Sequence, residues 1–223
     1  MAFARQIGNI NINRFFTPVA NYPMIAEVRK EPQQKFNIGG GWHTDHSYDT
    51  VPALGSMLYA REVPPSGGDT QFASMYAAYD ALSEGMKEML SRLNAVHSSR
   101  HVFGENSNRP AEIKDRLGNA ELATQDAVHP VVITHPRSRR KALYVNPGFT
   151  TGFEGWTAEE SAPLLHFLYQ HASRPEFGYR FQWSDGSLAF WDNRCTWHQA
   201  VNDYHGARRL LHRITLEGEA FGG

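Results

Sequence analysis

A single cysteine, Cys195, leaves this chain unable to form an internal disulfide, and a reducing compartment, the cytoplasm, is the expected setting. A charge excess is missing as well: 22 Lys and Arg stand against 23 Asp and Glu, a net charge of -1. Proteins that hold nucleic acid through its phosphates carry a clear basic surplus, so no nucleic-acid partner is expected. No apolar run approaches the ~20 residues of a membrane-spanning helix, and Met1-Ala2-Phe3-Ala4-Arg5 is not a charged-then-apolar leader. Internal repeats, low-complexity tracts and interdomain linkers are also lacking. What remains is a 223-residue chain, 41% hydrophobic, that can bury a substantial core. One domain over residues 1–223 is the natural expectation.

Strand signals dominate the pattern. Pro52 to Tyr59 reads as a buried strand, and the turn cluster Pro64 to Asp69 leads into a short strand at Thr70-Gln71-Phe72. Val131–Thr134 and Ala142–Val145 read as a hairpin, Tyr179–Trp183 and Ser187–Trp191 as strands around Ser184-Asp185-Gly186, and Arg208–Leu216 as a last strand. Residues 1–38 lack a strong period, with little more than a short strand near Val19 to Val28. Met75–Leu93 has apolar spacing for helix in two pieces, with Ser83 as an N-cap. Thr157-Ala158-Glu159-Glu160 is a capping box, opening a helix with Leu164, Leu165, Phe167, Leu168 and Tyr169 on its apolar side. Residues 98–127 show no period, as lids often do. Many strands and two helical regions predict a mainly β fold, a sandwich or small barrel with flanking helices.

Histidine carries the chemistry. In an extended Trp42-His43-Thr44-Asp45, side chains at i and i+2 share a face, so His43 and Asp45 aim at one point. With His198 as third ligand, two imidazoles and a carboxylate form the facial triad of non-haem Fe(II) oxygenases. His46, the residue after Asp45, borders the same region. In the last strand Arg209, Leu211, Arg213 and Thr215 share one face, while Leu210, His212, Ile214 and Leu216 form an apolar face suited to a core. Two guanidinium groups turned inward require anions to meet them, and arginine is built for carboxylates.

Taken in order, Trp42-His43-Thr44-Asp45, Pro65-Ser66-Gly67-Gly68-Asp69-Thr70, Asn146-Pro147-Gly148-Phe149-Thr150, and Trp191-Asp192-Asn193-Arg194 through His198 to Arg209 and Arg213 resemble the taurine dioxygenase family. That family includes 2,4-dichlorophenoxyacetate dioxygenases and alkylsulfatases. The resemblance implies a double-stranded β-helix, the cupin-like jelly roll, that uses Fe(II), 2-oxoglutarate and O2 to hydroxylate a small anionic molecule. It implies His43, Asp45 and His198 as iron ligands, and Thr70 and Arg209 on the distal carboxylate of 2-oxoglutarate. It also implies Arg213 and Phe149 on the substrate, Asp192 and Asn193 shaping the turn before His198, and room for a homo-oligomer. Two departures stand out. Thr17-Pro18-Val19-Ala20 replaces a His-Pro-Val-Tyr stretch of the taurine enzymes, and Gly39 stands where they use an asparagine, so a sulfonate, alkyl sulfate or aryloxyalkanoate is expected rather than taurine. Relative to the family, the chain also starts after its opening strands. Two rival readings are a non-catalytic metal-binding barrel of the same fold and a zinc hydrolase with a metal-bound water. The second leaves Thr70 and Arg209 without a purpose.

Overall fold

The structure is a computed structural model that describes residues 1–107, 109–114 and 116–221. Its largest sheet is antiparallel along the order Leu188–Asp192, Gly55–Glu62, Arg209–Leu216, Tyr22–Lys30, Pro18–Val19, with Ile10–Asn11 added beside Arg209–Leu216. A second sheet, Gly178–Phe181, Thr70–Ser74, Thr196–Ala200, is antiparallel too. Phe72 and Phe181 of the second sheet pack on Leu58, Ala60, Trp191 and Leu211 of the first. This gives the two-layered β arrangement of a jelly roll whose sheets do not close, as expected from the sequence. A third sheet, Thr150–Phe153, Asn94–Ser98, Asp126–Pro130, and the hairpin Val132–Thr134 with Lys141–Leu143 complete the β structure. Among the described residues no helix is long and apolar enough to cross a membrane.

Local expectations meet the structure unevenly. The two helical pieces are Met75–Asp80 and Glu84–Leu90, and Ser83 accepts from Met86 N as an N-cap. The Thr157–Glu160 capping box opens the helix Ala158–Ala172. That helix buries Ser161, Leu165, Leu168 and Ala172, a stripe at helical spacing that packs against the strand Thr150–Phe153 and the helix Met75–Asp80. Phe167, expected on the apolar side, is 41% exposed and stacks on His171. The turn at Ser184-Asp185-Gly186 does not close a hairpin. It carries the chain from the second sheet to the first, because Gly178–Phe181 pairs with Thr70–Ser74 and Leu188–Asp192 with Gly55–Glu62.

The last strand keeps the two faces expected of it. Arg209, Leu211, Arg213 and Thr215 are buried, and Leu210, His212 and Ile214 are half buried. The charged face points into the space between the sheets, and on the apolar face Leu216 is buried and Ile214 packs in a small core with Ala4 and Ile7 of the helix Ala2–Ile7. Tyr22–Lys30, read as mostly loop, is a nine-residue strand. Its pairing with the last strand, Arg209 opposite Lys30 and Arg213 opposite Ala26, holds the two arginines in register.

Candidate metal and anion site

His43 and His198 are joined through their main chains. His43 N donates to His198 O at 3.1 Å, and His198 N donates to His43 O at 2.9 Å. This isolated bridge corrects the expected strand at 42–45: only His43 pairs, and the chain turns from Asp45 onward, with His46 in the left-handed region at φ 57. The turn still brings Asp45 round. One donor atom from each of His43, Asp45 and His198 lies within 4.8 Å of the other two. His43 Nε2 is 3.7 Å from Asp45 Oδ1, and His198 Nε2 is 3.6 Å from Asp45 Oδ2. Ligands about 2.1 Å from one ion are spaced on this scale. His46 turns elsewhere, with Nδ1 on Asp49 Oδ2 at 2.9 Å.

Protonation suits a cation. A carbonyl only accepts, so the 2.8 Å contact between His43 Nδ1 and Gly41 O places the proton on Nδ1 and frees the Nε2 lone pair. Burial holds both imidazoles below their ordinary value; Asp45 opposes the shift at each, and the His43 charge reinforces it at His198. At Asp45 burial works to raise the carboxyl, but Arg213, then His198 and His43, outweigh it and hold the group ionised. Neutral imidazoles and a carboxylate are the forms a divalent ion binds, so the donor set fits one ferrous ion.

Neighbours fix the ligands. Asp45 Oδ2 accepts from Arg213 Nη2 at 2.7 Å and from Ser56 Oγ at 2.9 Å, and Ser56 Oγ accepts from Asn193 Nδ2 at 3.2 Å. Asn193, expected only to shape a turn, thus also reaches Asp45 through Ser56. Behind His43, the Asn146–Thr150 loop is closed by Phe149 N donating to Asn146 Oδ1. A Cβ on Gly148 would fall 2.6 Å from His43 Cβ, and one on Gly39 would fall 3.2 Å from His43 Cε1. Those glycines leave room for the ring, and the second accounts for a glycine where a side chain was expected.

The same cavity, about 340 Å³, is lined by the three ligands together with Thr70, Phe149, Arg209 and Arg213. Arg209 is 3% exposed. Its Nε donates to Gly68 O at 2.9 Å, and Nη2 lies 3.4 Å from Thr70 Oγ1. Among the described residues no carboxylate pairs with it, and neighbouring Asp69 is held by Arg180 at 2.6 Å. Burial lowers the guanidinium's proton affinity, with Tyr204 and Asp69 opposing. A buried guanidinium without a counter-ion is costly, and an incoming carboxylate would remove that cost. Trp183 Nε1 donates to Thr70 Oγ1 at 3.0 Å, which leaves the hydroxyl proton for an external acceptor. Arg213 keeps a buried Nε with no partner, and its guanidinium lies 5.3 Å from the Phe16 ring centre. Phe149 is buried against Tyr48, with ring centres 4.8 Å apart.

Sequence reading missed Ser56 and the wall built by Phe103 and Arg109, which line the cavity from the segment 98–127. That segment has no period because its two short helices, Arg100–Phe103 and Ala111–Lys114, are held by polar staples. Arg116 donates to Phe36 O at 2.8 Å and also to Arg29 O, while the Glu112 carboxylate accepts from Phe36 N at 2.6 Å.

A second potential ligand group, His135, Asp192 and Cys195, is already balanced. Arg194 holds Asp192 at 2.7 Å and 2.9 Å. His135 Nδ1 accepts from Ser138 N at 3.1 Å, so its Nε2 carries the proton given to Asp192 at 3.0 Å. Burial pushes the Cys195 thiol up, away from the thiolate a metal needs.

Comparison with known proteins shows the family to which the chain belongs. The profile of the family described as "Taurine catabolism dioxygenase TauD, TfdA family" matches residues 1–215. The chain is 37% identical over 193 residues to an alkylsulfatase of Acinetobacter baylyi, covering 85% of this chain and 60% of the relative. It is 38% identical over 182 residues to an alpha-ketoglutarate-dependent 2,4-dichlorophenoxyacetate dioxygenase of Cupriavidus pinatubonensis, covering 80% and 60%. Thus it spans about 60% of the length of these curated relatives. A crystal structure of a taurine dioxygenase from Burkholderia xenovorans superposes with a TM-score of 0.79 at 34% identity, covering 98% of this chain and 71% of that one.

Proposed function

We propose that this chain, a member of the taurine catabolism dioxygenase TauD, TfdA family, is an Fe(II)- and 2-oxoglutarate-dependent dioxygenase acting on a small anionic organic molecule. The observation that carries the reading is one cavity holding both a neutral-imidazole, ionised-carboxylate triad and, at Arg209, a buried cation without a carboxylate partner among the described residues. A zinc hydrolase needs the first and has no use for the second.

In this reading His43, Asp45 and His198 hold the iron. Thr70 and Arg209 hold the distal carboxylate of 2-oxoglutarate, the hydroxyl donating one hydrogen bond and the guanidinium the charge. With iron and 2-oxoglutarate bound, O2 is reduced as the keto acid is decarboxylated to succinate, and one oxygen atom enters a C–H bond of the substrate. The chain's own residues position and shield. Ser56 and Arg213 fix the Asp45 oxygen that faces away from His43, and the Gly41 carbonyl fixes the His43 tautomer. Phe149, Tyr48 and Phe103 exclude water from the reacting side. Arg213, through its unpartnered Nε, meets the substrate anion, and Phe149 forms a wall beside it. Substrates are organic anions of the sulfonate, alkyl sulfate or aryloxyalkanoate kind. Hydroxylation next to the heteroatom of such a molecule gives an unstable product that fragments.

The test is succinate release from the purified protein with Fe(II), 2-oxoglutarate and O2 across a panel of those anions. Release that depends on one of them is the expected result. Failure of the anaerobic Fe(II) protein to develop a visible charge-transfer band with 2-oxoglutarate would overturn the proposal.

A further inference from the structure

Arg109 enters the cavity from the 98–127 segment, not from the sheets. Its guanidinium carbon sits 4.8 Å over the Phe103 ring centre. Its Nη1 is buried with no hydrogen-bond partner, and no carboxylate pairs with it among the described residues. Its charge is felt at His43, a ligand of the candidate metal. Beyond it, Glu112 and Arg116 are tied to the main chain at Phe36. Arg109 thus presents a cation to the cavity that holds the three ligands.

Arg213 shares this cavity with a second cation. Its Nη2 is committed to Asp45, and its buried Nε has no partner. A carboxylate, sulfate or sulfonate presents two or three oxygens and is matched by more than one N–H. The Arg109 guanidinium offers a further unpartnered donor, Nη1, to the same cavity. Burial pushes it down to about 10, so it remains charged at neutral pH. The ring beneath it belongs to an aromatic stack in which Phe103 lies 4.2 Å from Phe15 at an interplanar angle of 7° and 5.9 Å from Phe149 at 22°.

We infer that Arg109 is a specificity-determining residue that binds the anionic group of the substrate together with Arg213, the cavity-lining Phe103 and Phe149 bordering the apolar body of the same molecule. The inference rests on the dioxygenase reading for what a substrate is, but it concerns recognition and is read out by binding. It selects organic anions over their neutral isosteres.

The experiment uses protein loaded with Mn(II) and N-oxalylglycine, which does not turn over. Calorimetry follows binding of 2,4-dichlorophenoxyacetate and of its uncharged amide. Wild type binds the acid more tightly. Arg109→Gln weakens the acid at least tenfold, changes the amide less than twofold, and leaves N-oxalylglycine affinity within twofold. Arg109→Lys recovers part of the preference, because the charge returns without the planar fork. Equal weakening of acid and amide, or an unchanged acid, overturns the inference. So does a wild-type protein that binds N-oxalylglycine but neither probe, and in that outcome the dioxygenase reading stands. If wild type binds no N-oxalylglycine, the dioxygenase reading falls. The same acid-to-amide comparison without metal then decides for or against Arg109.

Discussion

Arg213 Nη2 lies 2.7 Å from Asp45 Oδ2, with both side chains buried. The carboxylate that would bind the ion already has a cation. Arginine and metal therefore share one negative charge, with the arginine and Ser56 on Oδ2. Removing the arginine leaves a buried carboxylate uncompensated, which costs about 3 kcal/mol. An Arg213→Gln protein should melt several degrees below wild type without metal. Mn(II) should raise its melting temperature by more than it raises that of wild type, because the ion replaces the lost charge. Equal shifts in the two proteins, read by differential scanning fluorimetry, would separate Arg213 from the metal centre.

Arg209→Met should abolish N-oxalylglycine binding to the Mn(II) protein, at least a hundredfold in affinity, while leaving Mn(II) affinity intact. The methionine fills a similar volume without a buried unpaired charge, so the ligand-free protein should be no less stable than wild type. Thr70→Val should cost about tenfold by losing one hydroxyl donor. Tight N-oxalylglycine binding in Arg209→Met would remove Arg209 from the 2-oxoglutarate site.

His198→Ala should remove substrate-dependent succinate release. Gly148→Ala is the subtler companion, since its Cβ would press on His43 Cβ from 2.6 Å. It should weaken Mn(II) binding on the order of tenfold without deleting any donor, as displaced support for a ligand does. Wild-type Mn(II) affinity in Gly148→Ala would show that the His43 ring is free to move.

His97 is fully buried, and burial, aided by His129, pushes its imidazole down to about 3. In the unfolded chain the same group titrates near 6.5. Between those values the unfolded state holds the extra proton, so stability is full above about pH 6.5 and is lost as pH falls toward 3. His129 acts in the same direction. The urea midpoint of wild type should fall from pH 7 to pH 4.5. A His97→Gln protein should start lower and decline less, by roughly 1 kcal/mol per pH unit over that window. Parallel curves would exclude His97 as the acid-sensitive group.

The chemistry was legible in the sequence where the residue type itself is unusual: a His-x-Asp pair, a distant histidine and two arginines on one strand face. Their convergence was right even though the local reason was not, because a bridge and a turn, instead of a strand, deliver Asp45. Tyr22–Lys30 was legible only in part, as a short strand near Val19 to Val28, because Pro23 and the charged Glu27, Arg29 and Lys30 blur its alternation. The strand owes its existence to pairing with Arg209–Leu216. Thr196–Ala200 was hidden for a similar reason, since it is stabilised by pairing with Thr70–Ser74. Arg109 left no trace at all. Its position depends on side chains bonded to distant carbonyls and amides, and such staples have no period.

The hydrogen bonds between His43 and His198 use main-chain atoms alone. Whatever their side chains bind, the spacing between the two backbones is therefore inherited from the scaffold and not imposed by an occupant. A centre prepared this way would exchange one ion for another of similar size without refolding, so loading becomes a question of supply rather than of assembly.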